Sequence, residues 1–416
     1  MKYGLVLSGG GAKGAYEAGC IKALEELGYH FEIVTGTSIG ALNGLLLAQE
    51  DVLALYKLWD TITIDDVFLH PVQFDFSIEN VMNNNNISSF LKSYLDKKGA
   101  DITPLINLLN RLYDGNKAKS SPIQYGICTV TFPQMKALQI TKDEMTSENM
   151  LDYAIASASC FPAFPIHYIG NQGYIDGAYH DNLPISLALK MGADKIIAIE
   201  LHQDICHKYL ACRDHITYIR PSHSLGGFLD FNREILDERI RLGYLDTLKT
   251  FNRLKGYRYA FNNDAVNLEV SKLFSDKVLL FEDQFNHRFT KMSDETPILD
   301  LLMKDCYIDR LSLEDYFILG LELYMEEHGY DYLKVYSFDE VVSNINNNID
   351  KKEIERVDFF KNITKSFKNL TSNQIFKNYL SYFINIKESP IIFENLFLKE
   401  FVIAMFVSCL VNKEVV

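Results

Sequence analysis

GGGAKG at positions 9–14, GTSIG at 36–40 and YIDGAY at 174–179 are the stretches of this chain best suited to catalysis. Gly9, Gly11 and Gly14 satisfy G-x-G-x-x-G, the pattern of a loop that holds an anion on a helix N-terminus. If the anion were a dinucleotide, the next strand would end in an acidic residue, about 20 residues on, for the ribose hydroxyl. Glu32 has that spacing, but it begins the segment FEIVTG instead of ending it. The segment ends in Gly36-Thr37-Ser38-Ile39-Gly40, a G-x-S-x-G pattern that puts a serine on an exposed strand-to-helix turn, where a flanking Cβ would clash. The second strand thus delivers a nucleophile where a dinucleotide fold delivers a carboxylate. The anion held by the glycine loop is then a transient oxyanion, because neighbouring parallel strands bring the loops at their ends side by side.

Ser38 needs a base. His167, His180, His202, His207, His215 and His223 all follow it, so a histidine stays open by counting, although none sits in a strand-end turn of its own. Asp176 does, with Gly177 behind it, and a carboxylate in a dry pocket serves as a general base once burial raises its pKa. His180 is read as a local structural residue. Lys13 reads equally as a solvated helix residue and as an anion-orienting group.

Together the motifs resemble the patatin-like phospholipase family. GGGAKG is similar to its oxyanion loop, GTSIG to its nucleophile elbow and Asp176-Gly177-Ala178 to its D-G-[GA] base motif, while Ile155–Pro165 is similar to the loop before that motif. The resemblance covers about residues 1–205, and more loosely the chain to about 250. It implies an α/β three-layer sandwich with a mainly parallel sheet and a Ser-Asp dyad that cleaves acyl esters of membrane lipids through an acyl-enzyme. Residue by residue, it implies Ser38 as nucleophile, Asp176 as base, and Gly9, Gly10, Gly11 and Ala12 as the oxyanion loop, with Lys13, Gly14, Gly36, Gly40 and Gly177 in support. It also implies that the loop carrying Phe161 and Phe164, by themselves ordinary packing residues, borders an acyl channel. The expected substrate is a phospholipid or other acyl-ester lipid, with no cofactor and no metal. Two alternatives stand beside this reading: an idle scaffold acting through its helical tail, and a nucleotide-binding oxidoreductase, which Ser38 in the place of an acidic residue disfavours.

Strands and helices must hold these groups. Strands are expected at 5–7, 31–36, 125–130, 136–141 and 195–201, a hairpin at 167–177, and helices at 14–27, 39–49 and 151–157. A further helix contains Pro184 in its first turn, is capped by Asp181 or Asn182 and ends at Gly192. Residues 52–110 read as mostly helical, interrupted by a surface loop at Asn83–Asn86. Beyond about 255 the pattern turns helical, with capping signals at Ser312/Asp315, Ser337/Glu340 and Ser389/Pro390. The expected organisation is a catalytic domain at 1–255 and a helical region at 256–416.

With 416 residues, 48% of them hydrophobic, the chain can bury a large core. A net charge of -14 and no basic stripe argue against nucleic acid and against electrostatic capture by anionic membranes. Membrane contact, if made, is peripheral and apolar. Seven scattered cysteines read as reduced thiols, and Cys206, His207, Cys212 and His215 lack tetrahedral metal-ligand spacing. The N-terminus carries no recognisable signal peptide, and Phe401–Val411 is about half a membrane span, so a cytoplasmic protein is expected. The segment 389–412 is read as a helix apolar nearly all round and buried in its own protein, in preference to a mobile lid. Oligomeric state is not legible.

Overall fold

The apolar run YGLVL forms strand β1, Tyr3–Leu7, and IVTGT forms β2, Ile33–Thr37, in a computed structural model that describes residues 1–69, 100–203, 214–288, 296–304, 310–349, 371–385 and 397–411. Outside the described residues lie Asn83–Asn86, Cys206, His207, Cys212, Cys306 and the Ser389/Pro390 signal. The remaining strands of the main sheet are β3 (Gln124–Phe132), β4 (Ala137–Thr141), β5 (His167–Ile169), β6 (Gln172–Asp176), β7 (Lys195–Ile199) and β8 (Ile216–Ile219). Their order is β5-β6-β3-β2-β1-β7-β8, with β4 also paired to β3. From β3 to β8 the neighbours run parallel, whereas β4, β5 and β6 pair antiparallel.

Strands buried on both faces need a helical cover on each side. Helices α1 (Gly14–Glu26), α2 (Ile39–Ala48), α3 (Val52–Thr61), α4 (Thr103–Leu112), α5 (Gly115–Ser120), α6 (Met150–Ser157), α7 (Ile185–Lys190) and α8 (Arg233–Thr250) provide it. Ala41, Leu42 and Leu45 of α2 and Ala154 of α6 pack on Tyr125 and Ile127 of β3. Val6, Ile33, Ile196 and Ala198 turn instead to Ile185 and Ala188 of α7. The result is an α/β three-layer sandwich around a mainly parallel sheet. Helix α8 crosses α1 closely: a Cβ on Gly19 would lie 2.0 Å from the Ile240 carbonyl oxygen, and one on Gly243 2.1 Å from that of Tyr16.

The expected cap of α7 is not found. Pro184 itself is the N-cap, the Asp181 carboxylate accepts the Leu183 N–H at 3.2 Å, and Asn182 reaches toward β1 instead. Pro184 has no side-chain oxygen with which to accept a helix N–H, so this helix starts without a side-chain cap.

Two compact units divide the chain, Met1–Phe251 and Asn252–Val416. The second is mainly helical: α9 (Leu268–Arg288), α10 (Pro297–Met303), α11 (Leu313–Glu327), α12 (Phe338–Asn348), α13 (Ser372–Asn385) and α14 (Leu398–Val411). The Ser312/Asp315 capping box forms, and the Ser337 side chain accepts the Glu340 N–H. Helix α14 is buried from Phe401 to Leu410, in a core shared with Phe261, Phe274 and Phe317 of its own unit. Gly320 makes room for the Phe406 ring, to which a Cβ would come within 2.4 Å. Among the described residues, no helix is long and apolar enough to cross a membrane.

Candidate active site

Register brings the two reactive groups together. Thr37, at the end of β2, lies beside Cys128 of β3, and Thr129 lies beside Asp176 at the end of β6. The residue after Thr37 is Ser38, whose Oγ–H donates to Asp176 Oδ2 at 2.6 Å. Gly177 lets the turn after β6 press on β3, since a Cβ there would lie 2.0 Å from the Cys128 carbonyl oxygen. Ser38 occupies the left-handed region at φ 56°, an uncommon backbone for a residue with a side chain and typical of a nucleophile turn. The glycines flanking it are sterically required: a Cβ on Gly36 would be 2.2 Å from the Gly40 oxygen, and one on Gly40 2.6 Å from the Leu7 oxygen. Ser157 locks the turn, its Oγ accepting the Ser38 N–H at 2.9 Å and donating to the Cys128 carbonyl at 2.6 Å.

The elbow is not exposed as its motif suggests. Ser38 is 9% accessible and Asp176 2%, and both lie at the wall of a cavity of about 520 Å³. Leu42, Leu58, Trp59, Leu105, Leu109 and Phe164 supply much of its apolar surface. Of the two phenylalanines in the loop after α6, Phe164 faces the cavity and stacks edge-on with Phe68 at 5.4 Å, whereas Phe161 packs on Phe132 at 5.8 Å. Burial pushes the Asp176 carboxyl up to about 6, against the hydrogen bonds from Ser38 and from the Ala178 N–H that hold it down.

The glycine loop lies at the same cavity through Gly9, Gly10 and Gly11, with Lys13 also lining it. Its four amides are not equivalent. The Gly9 N–H donates to the Asn182 carbonyl at 3.1 Å and the Ala12 N–H to the Phe228 carbonyl at 2.6 Å, so Gly9 and Ala12 are spent as donors. The N–H groups of Gly10 and Gly11 have no hydrogen-bond partner among the described residues. Of the four amides expected in the oxyanion loop, two are thus hydrogen-bonded and two, among the described residues, are not. Gly14 serves packing: a Cβ would lie 2.5 Å from Ile39 Cγ1 and 2.8 Å from Trp59 Cζ2.

Several supporting residues carry no sequence signal. Asn182 Nδ2 donates to the Ser8 hydroxyl at 3.0 Å and to the Gly9 carbonyl at 3.2 Å, fastening the loop from the side. Glu17, fully buried, accepts the Ser8 N–H and the Asn43 side-chain N–H, both at 2.8 Å, while Asn43 Oδ1 accepts the Trp59 indole N–H at 2.9 Å. Burial raises the Glu17 pKa to about 8, against the hydrogen bonds from Asn43 and the Ser8 N–H that hold it down. Among the histidines, His202 lines the cavity and His180 is exposed, yet neither is hydrogen-bonded to Ser38 or Asp176. His167 instead pairs with Asp152 at 3.3 Å. Cys20, Cys128, Cys160 and Cys409 are free thiols, and no group of metal-ligating side chains is found among the described residues.

A family model described as patatin-like phospholipase matches residues 5–189. Among curated proteins, a lysophospholipase NTE1 of Scheffersomyces stipitis is 25% identical over 265 residues, covering 61% of this chain and 15% of that protein. A human patatin-like phospholipase domain-containing protein 6 is 27% identical over 203 residues, 47% of this chain and 13% of its own. A short stretch of 54 residues is 57% identical to a lysophospholipase nte1 of Aspergillus terreus, covering 13% of this chain and 4% of that one. The chain therefore spans a small fraction of each of these relatives. Among solved structures, VipD from Legionella pneumophila aligns over 99% of this chain and 90% of its own at 14% identity, with a TM-score of 0.40.

Proposed function

We propose, from the premise that residues 5–189 of this chain belong to the patatin-like phospholipases, that it hydrolyses carboxylic esters of lipids, with Ser38 as nucleophile and Asp176 as its base. The observation that carries the reading is the 2.6 Å hydrogen bond from Ser38 Oγ to Asp176 Oδ2 at the wall of an apolar cavity. An acyl chain laid along Leu42, Trp59, Leu109 and Phe164 brings its ester carbonyl to Ser38. Ser38 Oγ attacks that carbonyl as its proton passes to Asp176, and the Gly10 and Gly11 N–H groups receive the oxyanion. Collapse of the tetrahedral intermediate expels the alcohol, which takes the proton back from Asp176, and leaves an acyl-Ser38. Water then gives a proton to Asp176 as it attacks the acyl group, and collapse of the second tetrahedral intermediate expels Ser38 Oγ, which takes that proton from Asp176, releasing a fatty acid and free serine. Each donor to the oxyanion is worth about 2.7 to 4 kcal/mol of barrier.

The substrate class follows from shape and from relatives. The cavity lies within the range of about 300 to 1,000 Å³ typical of small-molecule sites, and relatives carry the name lysophospholipase, so monoacyl phospholipids come first among the lipids to offer. Diacyl phospholipids and acylglycerols follow. The charge balance of the chain leaves any membrane contact to apolar side chains.

Proton transfer to Asp176 requires its carboxylate form. With the pKa raised to about 6, kcat/KM on an ester of neutral head group rises as pH climbs through about 6 and levels off above it. A pH-rate profile with released fatty acid as the readout checks this. A profile flat from pH 4 to 8, or one that falls through pH 6, contradicts the base assignment.

A further inference from the structure

The loop Leu225–Phe231 lies outside the residues matched by the family model, yet Phe228, Leu229 and Phe231 line the same cavity as Ser38. One side chain holds its backbone. Arg239 of α8, only 2% accessible, donates from Nε to the Leu225 carbonyl at 2.9 Å, from Nη1 to that of Asp230 at 2.9 Å and from Nη2 to that of Gly227 at 2.8 Å. Between these anchored carbonyls, the Phe228 carbonyl accepts the Ala12 N–H at 2.6 Å. It also presses on Gly11, where a Cβ would approach to 2.3 Å, at a residue with φ 56°. With the Gly11–Ala12 peptide pinned in this way, the backbone of Gly11 sets the direction of the preceding peptide and hence of the Gly11 N–H. A planar fork of donors can serve three carbonyls at once, whereas an ammonium group is a point charge that cannot span them.

We propose that Arg239 is a positioning residue of the active site. It clamps residues 225–230 so that the Phe228 carbonyl orients the glycine loop's oxyanion donors and the Phe228, Leu229 and Phe231 side chains form one wall for the acyl chain. The assignment rests on the ester-hydrolase reading and goes beyond it, because it makes a segment outside the matched residues part of the catalytic machinery. Catalytic geometry lost by about 1 Å can cost about 10²-fold in rate, so a loosened clamp is felt in turnover.

The test uses the full chain, with active sites counted by a fluorophosphonate and thermal melting recorded on the same samples. For Arg239→Lys, kcat per titrated site on a short-chain ester is expected to fall at least tenfold while KM stays within twofold, because the donors act on the transition state. Arg239→Gln, which gives up the buried charge but keeps an amide donor, should show the same split and serves if the lysine variant does not fold. Phe228→Ala keeps the carbonyl, and its loss of kcat/KM should be at least fivefold greater on a long-chain ester than on a short one. A folded Arg239 variant with kcat within twofold of the parent overturns the clamp, and an equal loss on both esters in Phe228→Ala overturns the wall. A parent chain that neither hydrolyses esters nor reacts with the phosphonate overturns the hydrolase reading itself, a distinct outcome from an active parent with unaffected variants.

Discussion

Ser38→Ala is expected to lower kcat for ester hydrolysis by about 10⁵ to 10⁶, the scale set by removing a serine nucleophile from other hydrolases. The covalent step is lost, and what remains is whatever the oxyanion donors and the cavity contribute to direct attack by water. The fold survives, since among the described residues the Ser38 hydroxyl bonds only to Asp176, while its backbone N–H, held by Ser157, is kept in the variant. Turnover and circular dichroism on the same preparation check both statements. A folded variant within tenfold of the parent removes Ser38 from the mechanism.

Asp176→Asn should cost about 10⁴ in kcat or more, because the amide cannot take the serine proton, and changing an aspartate that only orients a histidine base already costs about that much elsewhere. Among the described residues, no histidine is hydrogen-bonded to Ser38 or Asp176. Stability moves the other way. Burial raises the native Asp176 pKa from 3.8 to about 6, so the folded state holds the proton more tightly than the unfolded one. The resulting penalty is absent below about pH 3.8, grows between 3.8 and about 6, and is complete above that, at roughly 3 kcal/mol. The neutral asparagine escapes it. At pH 7.5 the variant should melt at or above the temperature of the parent, with the difference shrinking as pH falls toward 4. Lower stability at pH 7.5 together with retained activity would place the base elsewhere, with His202, which lines the cavity, the first residue to test.

The hydrogen-bonded pair Ser38 and Asp176 is legible because each residue sits in a short local pattern: a strand, a turn that tolerates only glycine, and one polar residue. Gly36, Gly40 and Gly177 are such residues, and the atoms a Cβ would strike are backbone atoms within the sheet and its turns. Strands and helices near the site were legible for the related reason that apolar periodicity records which face is buried. What escaped is the polar scaffold. Ser157 meets Ser38 across 119 residues, Asn182 meets Gly9 across 173, and Arg239 meets a loop that has no recognisable motif. Such partners leave no local spacing to read. Asn182 reads locally as a cap of the helix beside it, but its side chain donates to Ser8 and Gly9 instead. The same blindness explains the glycine loop, where four consecutive amides look alike in sequence, but the Asn182 and Phe228 carbonyls take up those of Gly9 and Ala12.

The most direct test of the central claim is peptide mapping after reaction of the full chain with a fluorophosphonate bearing an alkyl chain. The account predicts one adduct per chain, on Ser38, formed more slowly in Asp176→Asn and excluded by prior saturation with a monoacyl phospholipid. An adduct on another residue, or none in a folded chain that still hydrolyses the lipid, would contradict it.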